Sequence, residues 1–207
     1  MGIHITKVCI LDYGSGNVMS VYNLVTFLGY EVIISNKISD IKSATHIILP
    51  GVGSFGAAMK KIKLNIDLTE LEHQIVNLKK PFLGICVGMQ VLATKGYEHG
   101  EMNGLGWVPG NVKLLKVNNL PLPHIGWNDL KIINNNDLLN GLDTIRDFYF
   151  LHSYSLETSD KYITSTVEYE KTFCASIQKN NIFGVQFHPE KSQKAGQIVL
   201  INFFNYK

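Results

Sequence analysis

The chain has 207 residues, of which 45% are hydrophobic and 10% aromatic, and its 19 basic and 17 acidic residues give a formal net charge of +2. A chain of this length buries roughly 70% of the surface that its unfolded form exposes, so it forms a core without disulfides or a structural metal. The small net charge, with basic residues spread along the chain, excludes the clustered basic surface typical of nucleic-acid-binding proteins.

Three cysteines are present, at positions 9, 86 and 174, and none of them forms a CxxC pair. A sparse and odd set of cysteines argues against a disulfide framework and indicates a reducing compartment. No stretch approaches the roughly 18 apolar residues of a membrane span, and the first residues lack the pattern of a secretion signal. We therefore expect a cytoplasmic protein that binds neither membranes nor nucleic acids.

The first half of the chain alternates short apolar runs with segments of helical period, which predicts strand-helix units and a largely parallel sheet. Buried strands are predicted at residues 7–11, 31–35, 46–49 and 81–85. Helices are predicted at residues 18–28, ending before a glycine, and at residues 67–79.

The second half has shorter apolar runs separated by Asn, Gly and Pro, which we interpret as antiparallel additions to the sheet. A last helix is predicted at residues 195–204, with Ile198, Ile201 and Phe204 on one face. Nothing marks a linker or a repeat, so residues 1–207 are expected to form one continuous α/β domain. The predicted strands of this half are 111–117, 125–133, 148–151, 162–168, 173–177 and 182–187.

The segment GICVG (84–88) joins a predicted apolar strand to residues with helical spacing. A Cys between two glycines at such a junction is typical of a nucleophile elbow, a sharp turn that exposes its central side chain at the carboxyl edge of a sheet. A thiol placed there, at a helix N-terminus, is favoured in its thiolate form. The alternative is that Cys86 is a small buried hydrophobic residue, as we expect of Cys9 and Cys174, and this segment alone does not decide.

A cysteine nucleophile needs a base, and the segment HPE (188–190) supplies a candidate. Pro189 restricts His188 to an extended conformation, in which residues two apart face the same way. The Glu190 carboxylate is therefore placed to hold one imidazole nitrogen while the other faces the thiol, and it favours the imidazolium. The three residues are also compatible with an ordinary turn at the end of a strand.

Two further histidines, His124 and His152, lie at predicted strand edges, where they either shape the site or serve the structure. No pair of histidines has the HxH or HxxxH spacing of a metal site, and no cofactor motif is present. The sequence therefore predicts neither a metal nor a cofactor.

The glycine-rich loop PGVGSFG (50–56) follows the third predicted strand. Backbone N–H groups in such a loop, here that of Val52, approach a developing oxyanion without hindrance, and the N–H of Val87 is the expected second donor. Phosphate binding is the rival interpretation, but the loop lacks both the Lys-Ser/Thr ending and the GxGxxG spacing.

Taken together, these motifs resemble the class I (triad) glutamine amidotransferases. Within that family the sequence looks like the glutaminase subunits of imidazole glycerol phosphate synthases, which serve histidine biosynthesis. The matching segments span nearly the whole chain and are DYGSGNVMS (12–20), LPGVGSFGAAM (49–59), GICVGMQVL (84–92), HIGWNDL (124–130), FYFLHSYS (148–155) and VQFHPEKS (185–192).

The resemblance implies a flavodoxin-like fold, with helices on both faces of the sheet, and hydrolysis of glutamine to glutamate and ammonia. Cys86 would attack the side-chain amide, His188 would act as acid and base, and Glu190 would orient His188. The resemblance also places four residues around the bound glutamine: Gly53, Gln90, Ser153 and Tyr154, the last two through backbone groups.

The same resemblance implies a heterodimer with a barrel-shaped cyclase subunit that receives the ammonia, so that the assembled synthase acts as a lyase. Asn17, Trp127 and Lys191 would lie near that interface by their positions in the motifs. The alternative interpretation of these three residues is an exposed or structural role.

Other functions stay open from the sequence. A paralogous glutaminase subunit would supply ammonia to another acceptor, such as a surface sugar; residues 118–123, where a lysine-rich lead is expected, favour that possibility. A non-catalytic relative that only binds the barrel subunit is a second alternative, and a thiol hydrolase acting on γ-glutamyl amides or peptides is a third.

Overall fold

Five parallel strands form the centre of the fold, and the carboxyl edge of this sheet holds the residues of interest. The computed structural model describes residues 6–14, 17–134 and 136–207. The remaining residues, which include Ser15 and Gly16 of the DYGSGN segment, are not described. The first four strands match the predicted runs closely: β1 (Lys7–Leu11), β2 (Glu31–Ser35), β3 (His46–Gly51) and β4 (Phe82–Cys86).

Helices connect these strands, and two of them were missed by the sequence pattern. The helices of this half are α1 (Val18–Phe27), α2 (Ile38–Ser43), α3 (Phe55–Asn65) and α4 (Leu68–Glu72), and a π-helical turn, His73–Asn77, continues α4. The short α2 offers little periodicity. In α3 the buried positions Phe55, Ala58, Met59 and Ile62 do have helical spacing, but the preceding glycines suggested a loop.

In the described residues, the second half of the chain adds one helical turn, ten strands and a final helix. Three short 3₁₀ segments, Asp137–Leu139, Asp160–Tyr162 and Pro189–Lys191, lie between them. The elements are α5 (Val87–Gln90), β5 (Lys95–Gly96), β6 (Met102–Asn103), β7 (Gly110–Leu114), β8 (His124–Asp129), β9 (Lys131–Ile132), β10 (Asp147–His152), β11 (Tyr154–Thr158), β12 (Ile163–Tyr169), β13 (Lys171–Lys179), β14 (Ile182–Val185) and α6 (Gln193–Asn205).

The main sheet has the strand order β2-β1-β3-β4-β14-β13-β12-β9. Its first five strands are parallel and follow the flavodoxin-like order, which confirms the predicted fold class. In such a sheet the strands on the two sides of β1 are added in opposite lateral directions: β2 lies on one side of β1, and β3 lies on the other. A ligand binds at the carboxyl ends of the strands near this point.

The prediction that all later strands are antiparallel additions to this sheet was wrong in two respects. β14 pairs in parallel with β4, because two successive hairpins, β12-β13 and β13-β14, return it to the direction of the first four strands. β8 and β10 form a separate two-stranded sheet, and β11, β7, β5 and β6 form a four-stranded one. Alternation of apolar residues predicts a strand but not its partner.

The sequence placed Ile198, Ile201 and Phe204 on one face of the last helix, but the structure gives these residues different exposures. Ile201 is 36% exposed, whereas Phe204 is buried. Residues spaced only by three drift around a helix, and the observed buried stripe combines spacings of three and four. Its members are Ala195, Gly196, Val199, Leu200, Phe203 and Phe204. Within the described residues, no helix is both long and apolar enough to cross a membrane.

The turn between β4 and α5 has an unusual backbone conformation at Cys86, with φ 55° and ψ −112°. Only glycine fits two residues before it and two residues after it. A Cβ on Gly88 would lie 1.8 Å from the carbonyl oxygen of Leu49, and a Cβ on Gly84 would lie 2.5 Å from the carbonyl oxygen of Gly88. The close backbone contacts that these glycines permit therefore hold the elbow against β3.

This arrangement predicts that Gly88→Ala destabilises the protein severely, since backbone must move to admit the methyl group. We expect the free energy of unfolding to fall by about 3 kcal/mol or more, measured by urea denaturation. Gly56→Ala is the matched control. Gly56 lies in the first turn of α3, and a Cβ there would lie 3.7 Å from Met102, so the stability of this variant should equal that of the wild type or be slightly higher. Equal stability of the two variants would contradict the account of the elbow.

Candidate active site

A pocket of about 90 Å³ opens at the carboxyl edge of the sheet beside Cys86. It brings together the predicted nucleophile and base, both expected oxyanion donors and all four residues expected around glutamine. Three further residues line it: Glu98, which no sequence motif indicated, Leu151, and His152, for which the sequence left a role in the site or in the structure open. The full lining is Val52, Gly53, Cys86, Val87, Gln90, Glu98, Leu151, His152, Ser153, Tyr154 and His188.

A larger cavity, of about 280 Å³, lies between β7, β11 and β13, away from Cys86. Its cysteine is Cys174, and burial raises the pKa of that thiol to about 12. No histidine lines the cavity. The smaller pocket is therefore the one with the groups needed for nucleophilic chemistry.

His188 and Glu190 form a buried pair beneath the pocket. Nδ1 of His188 lies 2.7 Å from Oε1 of Glu190, and both side chains are almost fully shielded from solvent. The side-chain amide of Asn17 donates a second hydrogen bond to the same carboxylate oxygen. The backbone of His188 is held as well, because its N–H donates to the carbonyl of Tyr149 and its own carbonyl accepts from Ser192.

The other ring nitrogen of His188, Nε2, is buried and has no hydrogen-bond partner among the described residues, and Cys86 is the neighbouring group that acts on the imidazole from beyond Glu190. Burial alone would lower the pKa of His188, but Cys86 and Glu190 on either side of the ring raise it well above its ordinary value. The imidazole is thus favoured in its protonated form at neutral pH.

The helix after Cys86 contributes less than the sequence suggested. α5 has only four residues, so it supplies one turn of N–H groups rather than the dipole of a long helix. His188 is therefore the main positive group beside the sulfur. The other thiols are inert by comparison, since both are buried and burial raises the pKa of Cys9, like that of Cys174, to about 12.

The loop after β3 packs directly against the elbow. A Cβ on Gly51 would lie 2.8 Å from the hydroxyl of Tyr13 and 2.9 Å from the backbone nitrogen of Gly88. Gly53 has φ 93°, a conformation that favours glycine. This close packing places Val52 and Val87 on the same pocket as Cys86.

A chain of amides holds the pocket wall and reaches the sulfur. Nε2 of Gln90 donates to the carbonyl of Tyr154 (2.9 Å) and to Oε1 of Gln186 (3.0 Å). Nε2 of Gln186 in turn lies 3.6 Å from the sulfur of Cys86. The sequence analysis gave Gln186 no role, and the structure places it directly after the end of β14.

His124 and His152 are both buried and form a second chain that ends at the same carbonyl. Nδ1 of His152 lies 2.9 Å from the Tyr154 oxygen, and its Nε2 lies 3.1 Å from Nδ1 of His124. Asn128 donates to the far nitrogen of His124. Burial, together with the neighbouring His124 and His188, lowers the pKa of His152 to about 3, so this histidine is neutral at physiological pH.

The residues predicted to lie at a partner interface occupy two different environments. Trp127 is 45% exposed on β8, and its ring packs edge-on against Tyr149 of β10. The amine of Lys191 lies 5.4 Å from the centre of the same Tyr149 ring. Asn17 instead directs its amide inward to Glu190. The structure thus gathers Trp127 and Lys191 around Tyr149 and places Asn17 beside the histidine-carboxylate pair.

The match to the glutamine amidotransferase class-I model covers residues 9–206, and the chain belongs to this family. It is 42% identical to imidazole glycerol phosphate synthase subunit HisH 1 from Campylobacter jejuni (strain RM1221), over 95% of this chain and 98% of that protein. It is 44% identical to subunit HisH of the same synthase from Photobacterium profundum, over 95% and 96%. The structure of PurLQS from Thermotoga maritima shares the fold, with TM-score 0.73 and 18% identity over 97% of this chain and 98% of that one.

The electrostatics of the site predict the titration of His188. Its imidazole should remain protonated through neutral pH, and Glu190→Gln should lower its pKa toward the ordinary value, because the carboxylate is one of the groups that raise it. NMR of ¹⁵N-histidine-labelled protein measures both, with His188→Asn identifying the signal and neutral His152 as internal reference. A His188 signal that titrates identically in the wild type and in Glu190→Gln would contradict the assignment.

Proposed function

We propose that this chain is a glutaminase subunit of imidazole glycerol phosphate synthase, which hydrolyses glutamine and delivers ammonia to a cyclase subunit in histidine biosynthesis. The observation that carries the proposal is the convergence on Cys86 of the elbow, the buried His188-Glu190 pair and a pocket lined by glycine-rich backbone. A cytoplasmic location is part of the same proposal, and the three free cysteines support it.

The proposed reaction begins with the Cys86 thiolate attacking the amide carbon of the glutamine side chain. The backbone N–H groups of Val52 and Val87 stabilise the negative charge that develops on the carbonyl oxygen. Protonated His188 gives its Nε2 proton to the leaving nitrogen, so ammonia departs and a thioester remains. His188, now neutral, takes a proton from water, and the hydroxide attacks the thioester to give glutamate and restore the thiolate.

Glu190 keeps the correct nitrogen of His188 facing the sulfur and stabilises the imidazolium, and Asn17 helps to hold the carboxylate. In the pocket, Gly53 and the backbone of Ser153 and Tyr154 surround the substrate. Both amide hydrogens of Gln90 are used within the protein, so Gln90 acts by fixing the Tyr154 carbonyl and offers substrate only its oxygen.

Glu98 extends this assignment to the charged end of the substrate. Its carboxylate lines the pocket and accepts a hydrogen bond of 2.7 Å from the backbone N–H of Phe55. A fixed carboxylate at this position suits the α-ammonium group of an amino acid. The sequence offered little sign of it, because Glu98 lies in a polar stretch without a motif.

The proposed partner surface is the exposed group formed by Ile125, Trp127, Tyr149 and Lys191. Ile125 and Trp127 lie two residues apart on β8, so they face the same side, and both are substantially exposed. Lys191 belongs to the segment that follows His188 and Glu190. A partner seated here would lie next to the site of ammonia release, as channelling requires.

Substitutions of the triad should separate the three roles. We expect Cys86→Ala and His188→Ala each to lower kcat by about 10⁴-fold or more, and Glu190→Gln to cause a loss about 10²-fold smaller, because a misoriented base retains some function. Ammonia release by the assembled enzyme measures all three. Full activity of Cys86→Ala would refute the proposed nucleophile, and equal losses for His188 and Glu190 would refute the division of roles.

The partner surface predicts that Trp127→Ala weakens binding to the cyclase subunit from the same source by about 30-fold, since a buried tryptophan anchor contributes about 2 kcal/mol. Calorimetric titration measures the affinity. Phe27→Ala is a suitable control: Phe27 is 73% exposed at the far end of α1, about 14 Å along the ten-residue helix from its first residue. Unchanged affinity of Trp127→Ala, or equal weakening by both variants, would contradict the assigned surface.

The acceptor is tested by ammonia release from glutamine, first by this chain alone and then with that cyclase subunit and its ribonucleotide ligand. Strong stimulation by the pair is the expected result. Stimulation only by a different synthase would assign the chain to another amidation pathway and keep the glutaminase chemistry. Turnover of γ-glutamyl peptides without turnover of glutamine would replace the proposal with a thiol hydrolase.

A further inference from the structure

Gln186 is fully buried beside the nucleophile and belongs to none of the predicted site residues. It follows β14 directly, and its backbone N–H donates to the carbonyl of Ala175, which fixes the start of its side chain. Its side-chain nitrogen lies 3.6 Å from the sulfur of Cys86, a normal distance for an N–H group that donates to sulfur.

The orientation of this amide follows from its neighbours. The backbone carbonyl of Tyr154 is only an acceptor, so the Gln90 amide must present its NH₂ group there. The same NH₂ group also donates to Gln186, so the side-chain oxygen of Gln186 must be the acceptor. The Gln186 NH₂ group is then left to face Cys86, and the sulfur is forced to accept a hydrogen bond.

We propose that Gln186 is a further catalytic residue, which donates a hydrogen bond to the Cys86 sulfur and stabilises the thiolate. This inference rests on the proposed function for its role in turnover, but the contact itself is independent of substrate. Protonated His188 adds a positive charge near the sulfur, and both hydrogen-bond donors and positive charges beside an ionised group favour the ionised form. The same bond favours departure of the thiolate when the thioester is hydrolysed.

If Gln186 had only a structural role, its amide would fill space and would not bond to the sulfur. Removing a buried, hydrogen-bonded amide lowers the free energy of unfolding in either case, so a loss of stability does not distinguish the two roles. The ionisation of Cys86 does distinguish them, because a spacer that does not bond to the sulfur leaves the thiolate fraction unchanged.

The test is the rate of alkylation of Cys86 by iodoacetamide in the full chain between pH 6 and pH 10, for the wild type, Gln186→Met and Gln186→Glu. Met has a similar shape and no N–H group, whereas Glu also offers the sulfur an acceptor. Cys86→Ala measures any reaction at the other two thiols, which burial keeps protonated. Gln178→Met is the control. The side-chain amide of Gln178 donates to the carbonyl of Asn180, and this hydrogen bond is not part of the amide chain that reaches Cys86.

We expect Gln186→Met to react about tenfold more slowly than the wild type at pH 7 and at an equal rate at the alkaline end, because it needs a higher pH to form the same thiolate fraction. Gln186→Glu should be slower still at pH 7, and Gln178→Met should match the wild type. If Gln186→Met matches the wild type, or is slower by one constant factor at every pH, the inference is overturned; where the Met variant fails to fold, the profile of Gln186→Glu decides by the same criterion.

Glutamine hydrolysis by the wild type is measured on the same preparations, so the two claims fail separately. If the wild type releases no ammonia from glutamine, even with its partner, the proposed function is refuted. The alkylation profiles still decide whether Gln186 stabilises the thiolate. An active wild type with unchanged profiles for the Gln186 variants sinks only the inference about Gln186.

Discussion

The close backbone contact between the elbow and β3 is the constraint on which the site depends. Cys86 adopts its strained conformation because Gly88 lies against the Leu49 carbonyl with no room for a Cβ, and Gly84 lies close to Gly88. That contact sets the sulfur at the edge of the sheet and, through Gly51, sets the glycine-rich loop beside it. Strain at Cys86 is thus supported by packing that extends over two central strands.

The polar groups around the sulfur form a network in which each member fixes the next. The Tyr154 carbonyl receives hydrogen bonds from Gln90 and His152, so a single backbone oxygen anchors both the amide chain that reaches Cys86 and the neutral histidine pair. On the other side, Glu190 and Asn17 hold His188. Buried polar groups are costly when unpaired, so these hydrogen bonds favour one geometry over several, although Nε2 of His188 and Oε2 of Glu190 have no hydrogen-bond partner among the described residues.

The sequence predicted the parallel half of the sheet almost to the residue, because strands buried on both faces appear as continuous apolar runs. The pairing of the later strands could not be read in the same way, since alternation says nothing about which strand lies alongside. Cys86, His188 and Glu190 were predicted from local motifs, and the structure places them together. Glu98 and Gln186 were not predicted as site residues, because they reach the pocket and the sulfur only through tertiary contacts, and for His152 the sequence left a role in the site or in the structure open.

The central claim, that Cys86 attacks the side-chain carbon of bound glutamine, is tested most directly by covalent labelling. The chain, with its partner present, is incubated with a glutamine analogue that has a diazoketone in place of the side-chain amide, and the labelled peptide is identified by mass spectrometry. The account predicts one adduct, on Cys86, that excess glutamine suppresses. Labelling at Cys9 or Cys174, or no adduct in an assembly that binds glutamine, would contradict it.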